Sequence, residues 1–513
     1  MKVRSHADYQ ALLCQLNQAV SGEDANDPPR RYHLPATCIS SLSQSDFTGS
    51  LGLKYPYMAG AMANGISSEN MVEALAEAGM LGVFGAAGLS ILRIRQAIER
   101  LQRSLGDKPF AVNLIHSPQE PIWEEELVDL LLQKNVRLVE ASAFLDISEA
   151  LVRYRLHGIR RLADDSIHTP NQLIAKVSRV ELAEKFMSPP PAALLKRLVE
   201  KKQLTPEQAE LAAQVPLARF VTGEADSGGH TDNRPAIVLF PLLMAVRQRV
   251  QDFHHYAESL QVGLAGGIGT PQAVAAALMM GAAYVVTGTI NQACVESGTS
   301  DMVRDMLASA QQADVTMAPA ADMFEMGIKV QVLKRATLFP MRAQKLYEIY
   351  RAHGSLDELS QEQRSNLEKQ YFRQPLAAVW EETKRFFAER DPRLIARAET
   401  QAKLKMALVF RSYLGRSSNW ANAGEASRRV DFQVWCGPVM GAFNDWCRAS
   451  FLESPENRQV VNVGLNLLTG AAILMRAQFL RLQGLLVPET VLDDLLRPKT
   501  NAELHQLISG GMT

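Results

Sequence analysis

Eight times between residues 55 and 289 a short apolar run gives way to helical text. The runs cover residues 55–61, 81–86, 110–115, 137–143, 173–178, 219–225, 262–267 and 284–289. In the first unit, 67–79 reads as an amphipathic helix opened by Ser67 and closed by Gly79. Eight strand–helix units in about 250 residues have the count and length of a (β/α)8 barrel. A doubly wound open sheet is the alternative. The strand count closes at eight, and the phosphate-like turns follow units seven and eight, where such barrels commonly bind phosphate. The fold expected is therefore α/β, a TIM barrel.

The interval between the fifth and sixth strands is too long for one connection. It holds helical text at about 181–216, broken by Ser188-Pro-Pro-Pro, which reads as a helical insertion beside the barrel mouth. Residues 1–50 are polar and irregular and read as a leader that packs on the barrel. The strand signal ends near residue 318, so 51–325 is the expected barrel and 326–513 a C-terminal all-helical region. The boundary falls somewhere in 315–345, because the eighth barrel helix could run into the tail.

Composition excludes some classes. Lys+Arg (54) and Asp+Glu (55) balance, so no general basic field invites nucleic acid. Cys14, Cys38, Cys294, Cys436 and Cys447 are scattered, odd in number and without a Cys-x-x-Cys pair. Neither a disulfide framework nor a zinc knuckle is expected, and a reducing cytoplasm fits. The start lacks the apolar segment of a signal peptide. Residues 460–475 carry no charge, but they fall short of the ~20 residues a span needs and include Asn462, Asn466 and Thr469. A buried helix, not a membrane span, is expected there.

In a parallel barrel the strand C-termini share one face, so distant residues converge. Gly266-Gly-Ile-Gly-Thr-Pro271 ends a strand and begins a helix. Glycines let backbone approach an anion, and free amides at a helix start favour phosphate. Gly288-Thr289 repeats the arrangement one unit later and adds a hydroxyl. No Gly-x-Gly-x-x-Gly with its acidic partner and no triphosphate-binding loop occurs. His230 follows Gly228-Gly229, which leave room for a flat ligand, and an imidazole can donate or accept a proton near neutrality. Glu224 and Asp226 flank it as acidic partners or as turn formers. Asn113 ends the third strand with a donor and an acceptor. Lys176 ends the fifth and could face a ring carbonyl or a phosphate. Ala59, Gly60 and Met62 close the first and could pack on a ring system or simply fill core. Glu140 is a weaker candidate. No metal-ligand cluster and no Gly-x-Ser-x-Gly elbow is present.

At these residues the chain resembles a known family. Tyr57-Met-Ala-Gly-Ala-Met-Ala-Asn-Gly65, Phe84-Gly-Ala-Ala-Gly-Leu89, Asn113-Leu-Ile-His-Ser-Pro118, Val139-Glu-Ala-Ser-Ala-Phe-Leu145, Ala175-Lys-Val-Ser-Arg179 and Glu224-Ala-Asp-Ser-Gly-Gly-His-Thr-Asp-Asn-Arg-Pro235 look like the PfaD-type proteins. These are trans-acting enoyl reductases of bacterial polyketide and polyunsaturated fatty acid synthases, grouped with the nitronate monooxygenase-like flavin barrels. The resemblance implies FMN at the barrel mouth, NADPH as reductant, and enoyl thioesters on acyl carrier protein as substrate. It assigns the FMN phosphate to Gly266, Gly267, Gly288 and Thr289, flavin contacts to Asn113 and Lys176, and the active-site imidazole to His230. A nitronate monooxygenase-like oxidase and a non-catalytic docking component of a synthase are the alternatives. A homodimer could form through apolar helices of the tail.

Overall fold

In the computed structural model, which describes residues 38–43, 45–118, 121–388, 391–484 and 486–509, eight parallel strands close into a barrel. They are β1 Tyr57–Ala59, β2 Leu81–Phe84, β3 Ala111–Ile115, β4 Leu138–Ser142, β5 Gln172–Val177, β6 Phe220–Glu224, β7 Gln261–Ala265 and β8 Val285–Thr287. Each pairs with its neighbour in sequence, and β8 closes on β1 through Tyr57 opposite Val285. The strands read as unbroken apolar runs because both faces are buried. Met58, Val83, Leu138, Ile174, Phe220 and Val286 fill the inside. Their neighbours Tyr57, Phe84, Val139, Leu173, Val221 and Val285 face the helices, as the two-residue strand period requires.

The part of the leader that is described plugs the floor of the barrel. Phe47 stacks on Tyr284 with ring centroids 3.9 Å apart and meets Phe220 edge-on at 5.6 Å. Asp46 pairs with Arg219 at 2.6 Å. Residues 1–37 lie outside the described residues. The first helix of the barrel ring, Glu69–Glu77, is capped by Ser68 rather than Ser67. The Ser67 hydroxyl accepts from the Met62 amide and donates to the Gly60 carbonyl, both at 3.0 Å, and so shapes the end of β1. Between β5 and β6 stand the expected insertion helices, Val180–Met187, Ala192–Glu200 and Pro206–Ala212. The last opens with a Thr205–Gln208 capping box.

The tail differs from the expectation in two ways. First, β8 is followed by a helix of only four residues, Thr289–Gln292. The eighth place in the helix ring is taken by Val460–Leu482, which packs between Pro271–Met279 and Glu69–Glu77. Gly464 and Gly470 permit this. A Cβ at Gly464 would stand 3.1 Å from the Tyr57 ring, and one at Gly470 would stand 2.6 Å from Pro271. This helix extends beyond the uncharged stretch read from the sequence. It is 23 residues long and apolar enough to cross a membrane by length and composition, yet 72% of its apolar window is buried inside the protein.

Second, the region is not wholly helical. Val315–Pro319 and Lys329–Leu333 form an antiparallel hairpin whose second strand also pairs with Gly229–His230. Five-residue runs such as Lys329-Val-Gln-Val-Leu333 are ambiguous between strand and helix when read alone. From Phe339 to Ala423 the chain builds a second core around Phe339, Trp380, Phe410 and Tyr413, which also takes in Phe324, Val330 and Val332 of the hairpin. At its centre Asp431 receives Arg342, Arg428 and the Tyr413 hydroxyl.

Candidate active site

The C-terminal ends of β1, β5, β6, β7 and β8 open into a cleft of about 590 Å3, counting its mouth. Gly60, Met62, Lys176, Gly266, Gly267, Gly288 and Thr289, all expected from the sequence, line it together. Two of the expected corners are visibly shaped for a ligand. Gly266 has φ +82°, and a Cβ there would lie 2.5 Å from the Ala225 carbonyl carbon, so only glycine fits. Gly267 (φ +75°) and Gly288 are different, since a Cβ on either would enter open space. Among the described residues, their amides donate to no backbone carbonyl. Thr270 caps the next helix by accepting from the Ala273 amide, with Pro271 at its first position. The result is an amide-lined cradle suited to an anion.

Sequence reading missed one wall. Trp435 and Val439 from the tail line the cleft, and the Gly437 amide donates to the Thr289 hydroxyl at 3.1 Å. Gly228 and Gly437 pass back to back. A Cβ on the first would lie 2.9 Å from the Gly437 nitrogen, and one on the second 2.8 Å from the Gly228 nitrogen. The segment is fixed there by Leu333, whose amide donates to the Val434 carbonyl at 2.8 Å. A glycine beside a cysteine in a distant tail gives no such message alone.

Polar groups are stacked on the β5–β6 side. Lys176 pairs with Glu224 at 3.3 Å. Burial draws its ammonium down, but Glu224 and Glu140 outweigh this and hold it above the ordinary lysine value. Lys176 is therefore a fixed cation. Glu140 is fully buried, and its carboxyl is pushed up chiefly by burial, with Lys176 opposing. Its Oε2 accepts from the Ala61 amide at 3.2 Å, while Oε1, near the Gly60 backbone, has no hydrogen-bond partner. Such an orphaned acceptor beneath the cleft floor is costly unless protonated or met by a ligand.

Four expected residues, Ala59, Asn113, Gly229 and His230, do not line the cleft. The Ala59 side chain packs outward into the helix layer, because strand alternation turns Met58 inward instead. Asn113 is buried one layer below, donating to Ser142 Oγ at 2.8 Å and the Glu140 carbonyl at 3.2 Å, so it braces the end of β4. His230 stands beside the cleft. It lies in the two-residue strand Gly229–His230, and Gly229 has φ +81°. Its Nε2 meets Asp322 Oδ1 at 3.2 Å, with the side chains 30% and 44% exposed. Burial alone would lower the imidazole, but Asp322 and then Glu224 outweigh burial and Lys176, so its pKa is raised from about 6.5. The Asp322 carboxyl is pushed up by burial and pulled further down by His230, ending below its ordinary value. The imidazolium's contribution to stability is thus complete below the unfolded value near 6.5 and fades as pH rises through the higher folded value. Asp226 serves its turn, accepting from Asn233 at 2.9 Å and Gln331 at 2.8 Å.

Comparison with known proteins places this geometry among relatives. A family model described as nitronate monooxygenase matches residues 44–153. One described as the inserted helical domain of [acyl-carrier-protein] S-malonyltransferase matches residues 353–432, within the second core. A polyunsaturated fatty acid synthase component of Thraustochytrium sp. is 49% identical over 86% of the chain and 30% of its own length. Polyketide biosynthesis protein PksE of Bacillus subtilis is 40% identical over 96% of the chain and 63% of its own. The chain thus spans less than two thirds of these curated relatives. The crystal structure of the enoyl reductase domain of MlnA, from the macrolactin cluster of Bacillus amyloliquefaciens, is 39% identical with a TM-score of 0.81, covering 86% of this chain and 99% of that one.

Proposed function

We propose that this chain, which belongs to the PfaD-like family of trans-acting enoyl reductases, reduces α,β-unsaturated acyl thioesters presented on acyl carrier protein, with FMN in the cleft and NADPH as reductant. The observation that carries the reading is the pair of amide-lined corners after β7 and β8 beside one carboxylate-paired imidazole. The likeness to an enoyl reductase domain of solved structure supports it. FMN, when bound, supplies the hydride relay from NADPH to the β-carbon of the enoyl thioester.

The residues fit that cofactor. Open space above Gly267 and Gly288 admits phosphate oxygens to the amides. The Thr289 hydroxyl already accepts from Gly437, so its own hydrogen is left to donate to phosphate. Lys176 offers a buried cation to an electron-rich ring edge. Saturation of the double bond also consumes one proton at the α-carbon. Asp322 favours the imidazolium of His230, the form that donates this proton and can stabilise charge on the thioester oxygen. A nitronate oxidase needs the neutral imidazole as base, so the same pairing weighs against that alternative.

The test is anaerobic turnover with a crotonyl thioester. The expected result is one NADPH oxidised per thioester reduced, with no oxygen required. No enoyl turnover together with rapid nitroalkane oxidation would overturn the reading. A substitution tests the cradle separately. Gly288→Asp places a carboxylate in open space, at φ −132° and ψ −83°, a backbone conformation outside the main allowed regions, so Gly288→Ala serves as the control that carries the same backbone cost without the charge. Two like charges at 4 Å repel by about 4 kcal/mol at an effective dielectric of 20. A hundredfold or greater loss of FMN affinity relative to Gly288→Ala is expected, read by fluorescence titration, with the thermal midpoints of the two variants nearly equal.

A further inference from the structure

We propose that the hairpin of residues 315–333, which lies outside the barrel, positions His230, with Asp322 as its direct partner and Gln331 as the clamp on its loop. This rests on the reductase reading for the use of the proton, though not for the geometry.

His230 is held from the hairpin on two sides. Its backbone pairs with Val330, and that of Gly229 pairs with Gln331. The Gln331 amide group then reaches back, donating to Asp226 Oδ1 and to the Ser227 carbonyl, both at 2.8 Å. The loop from Asp226 to Gly229 is therefore tied at three points to one residue of the hairpin. The ring is fixed separately, by Asp322 on Nε2 at 3.2 Å. That contact leaves Nδ1 as the nitrogen for proton exchange. The charged groups acting on the ring are Asp322 from the hairpin, Glu224 from β6 and Lys176 from β5. Glu224 is already paired with Lys176, which leaves Asp322 as the counter-ion on the ring itself.

The hairpin is anchored chiefly in the second core. Phe324, Val330 and Val332 are buried among the tail helices. Glu325 pairs with Arg411 of the helix Ala402–Ala423 at 3.3 Å. The helical region thus sets the imidazole's orientation and protonation while contributing Trp435 to the cleft wall. Asp322 is a positioning residue, since it acts through His230.

The experiment uses the full chain with isotope-labelled histidine. The His230 ring resonance, identified by its loss in His230→Gln, is titrated by NMR. In the unsubstituted protein its midpoint is expected above the ordinary value near 6.5, because Asp322 stands against the ring. Asp322→Asn is expected to lower it by about one pH unit or more, with Asp322→Glu restoring most of the shift. Asp322→Ser must give the same displacement, so the test survives if the Asn variant does not fold. FMN content is expected to stay unchanged, and the pH at which enoyl reduction falls off should move down with the NMR midpoint. A midpoint unmoved in the charge-removing variants overturns the proposal. An enoyl step indifferent to His230→Ala would instead remove the proton-donor role of His230 and leave the titration result intact, whereas absence of enoyl turnover in the unsubstituted protein would defeat the reductase reading.

Discussion

His230→Ala is expected to slow enoyl reduction by roughly 10²–10⁴-fold, the range that loss of a positioned general acid produces. NADPH-dependent bleaching of the flavin should continue at close to its original rate, because hydride uptake needs no proton from this imidazole. The split between the two half-reactions, measured by anaerobic stopped flow, separates a proton donor from a residue that merely holds the cleft open. The side chain does not line the cleft with Gly266, Gly267, Gly288 and Thr289, so FMN affinity should change little. Equal slowing of both half-reactions would show that the substitution disturbs the cleft itself. The pH dependence has a definite sign. The donor form is favoured by Asp322, so activity limited by it holds to a pH above the ordinary histidine value near 6.5 and declines beyond it.

Ending the chain at residue 325 is expected to abolish the soluble barrel altogether. The excised helix Val460–Leu482 covers the outer face of β1 and the helix after β7, burying Val463, Leu467, Leu468 and Ala471 completely. Exposing a large aliphatic side chain costs about 1.5–3 kcal/mol. Losing three such burials on the helix side, and leaving Tyr57 and Met80 exposed on the barrel side, therefore approaches the 5–15 kcal/mol that typically holds a domain together. The Lys329–Leu333 strand would leave with it, taking the pairing partner of His230. Solubility, circular dichroism and size-exclusion behaviour of residues 1–325 check this. A folded monomer that still bound FMN would contradict the assignment of the tail helix to the barrel. Gly470→Leu is a milder version, since the new side chain must displace Pro271, and overpacking of that kind costs about 1–3 kcal/mol.

These two expectations differ in how far they could be read from sequence. The strand ends were legible because each barrel strand is buried on both faces and terminates at a glycine or polar residue, as Gly266-Gly267 and Gly288-Thr289 do. The cradle follows from local chemistry and needed no tertiary information. The eighth helix was not legible, because nothing near β8 says that its partner lies beyond residue 459. Its uncharged stretch signalled burial but not the place. Asp322 and Trp435 were missed for the same reason. Their meaning comes from pairings across long separations, Asp322 with His230 and Val332 with Trp435. The orientation of Ala59 turns on less, a strand parity that moves inward and outward with each residue. The alternation in Lys329-Val-Gln-Val-Leu333 was the one local signal that could have revealed the hairpin.

The most direct test of the account is the visible spectrum of the purified chain, with the bound pigment identified by mass. A yellow protein carrying FMN in a one-to-one ratio, and losing it in Gly288→Asp, is the result expected if the corners after β7 and β8 hold the phosphate. Protein that remains colourless after FMN is added in excess would contradict it.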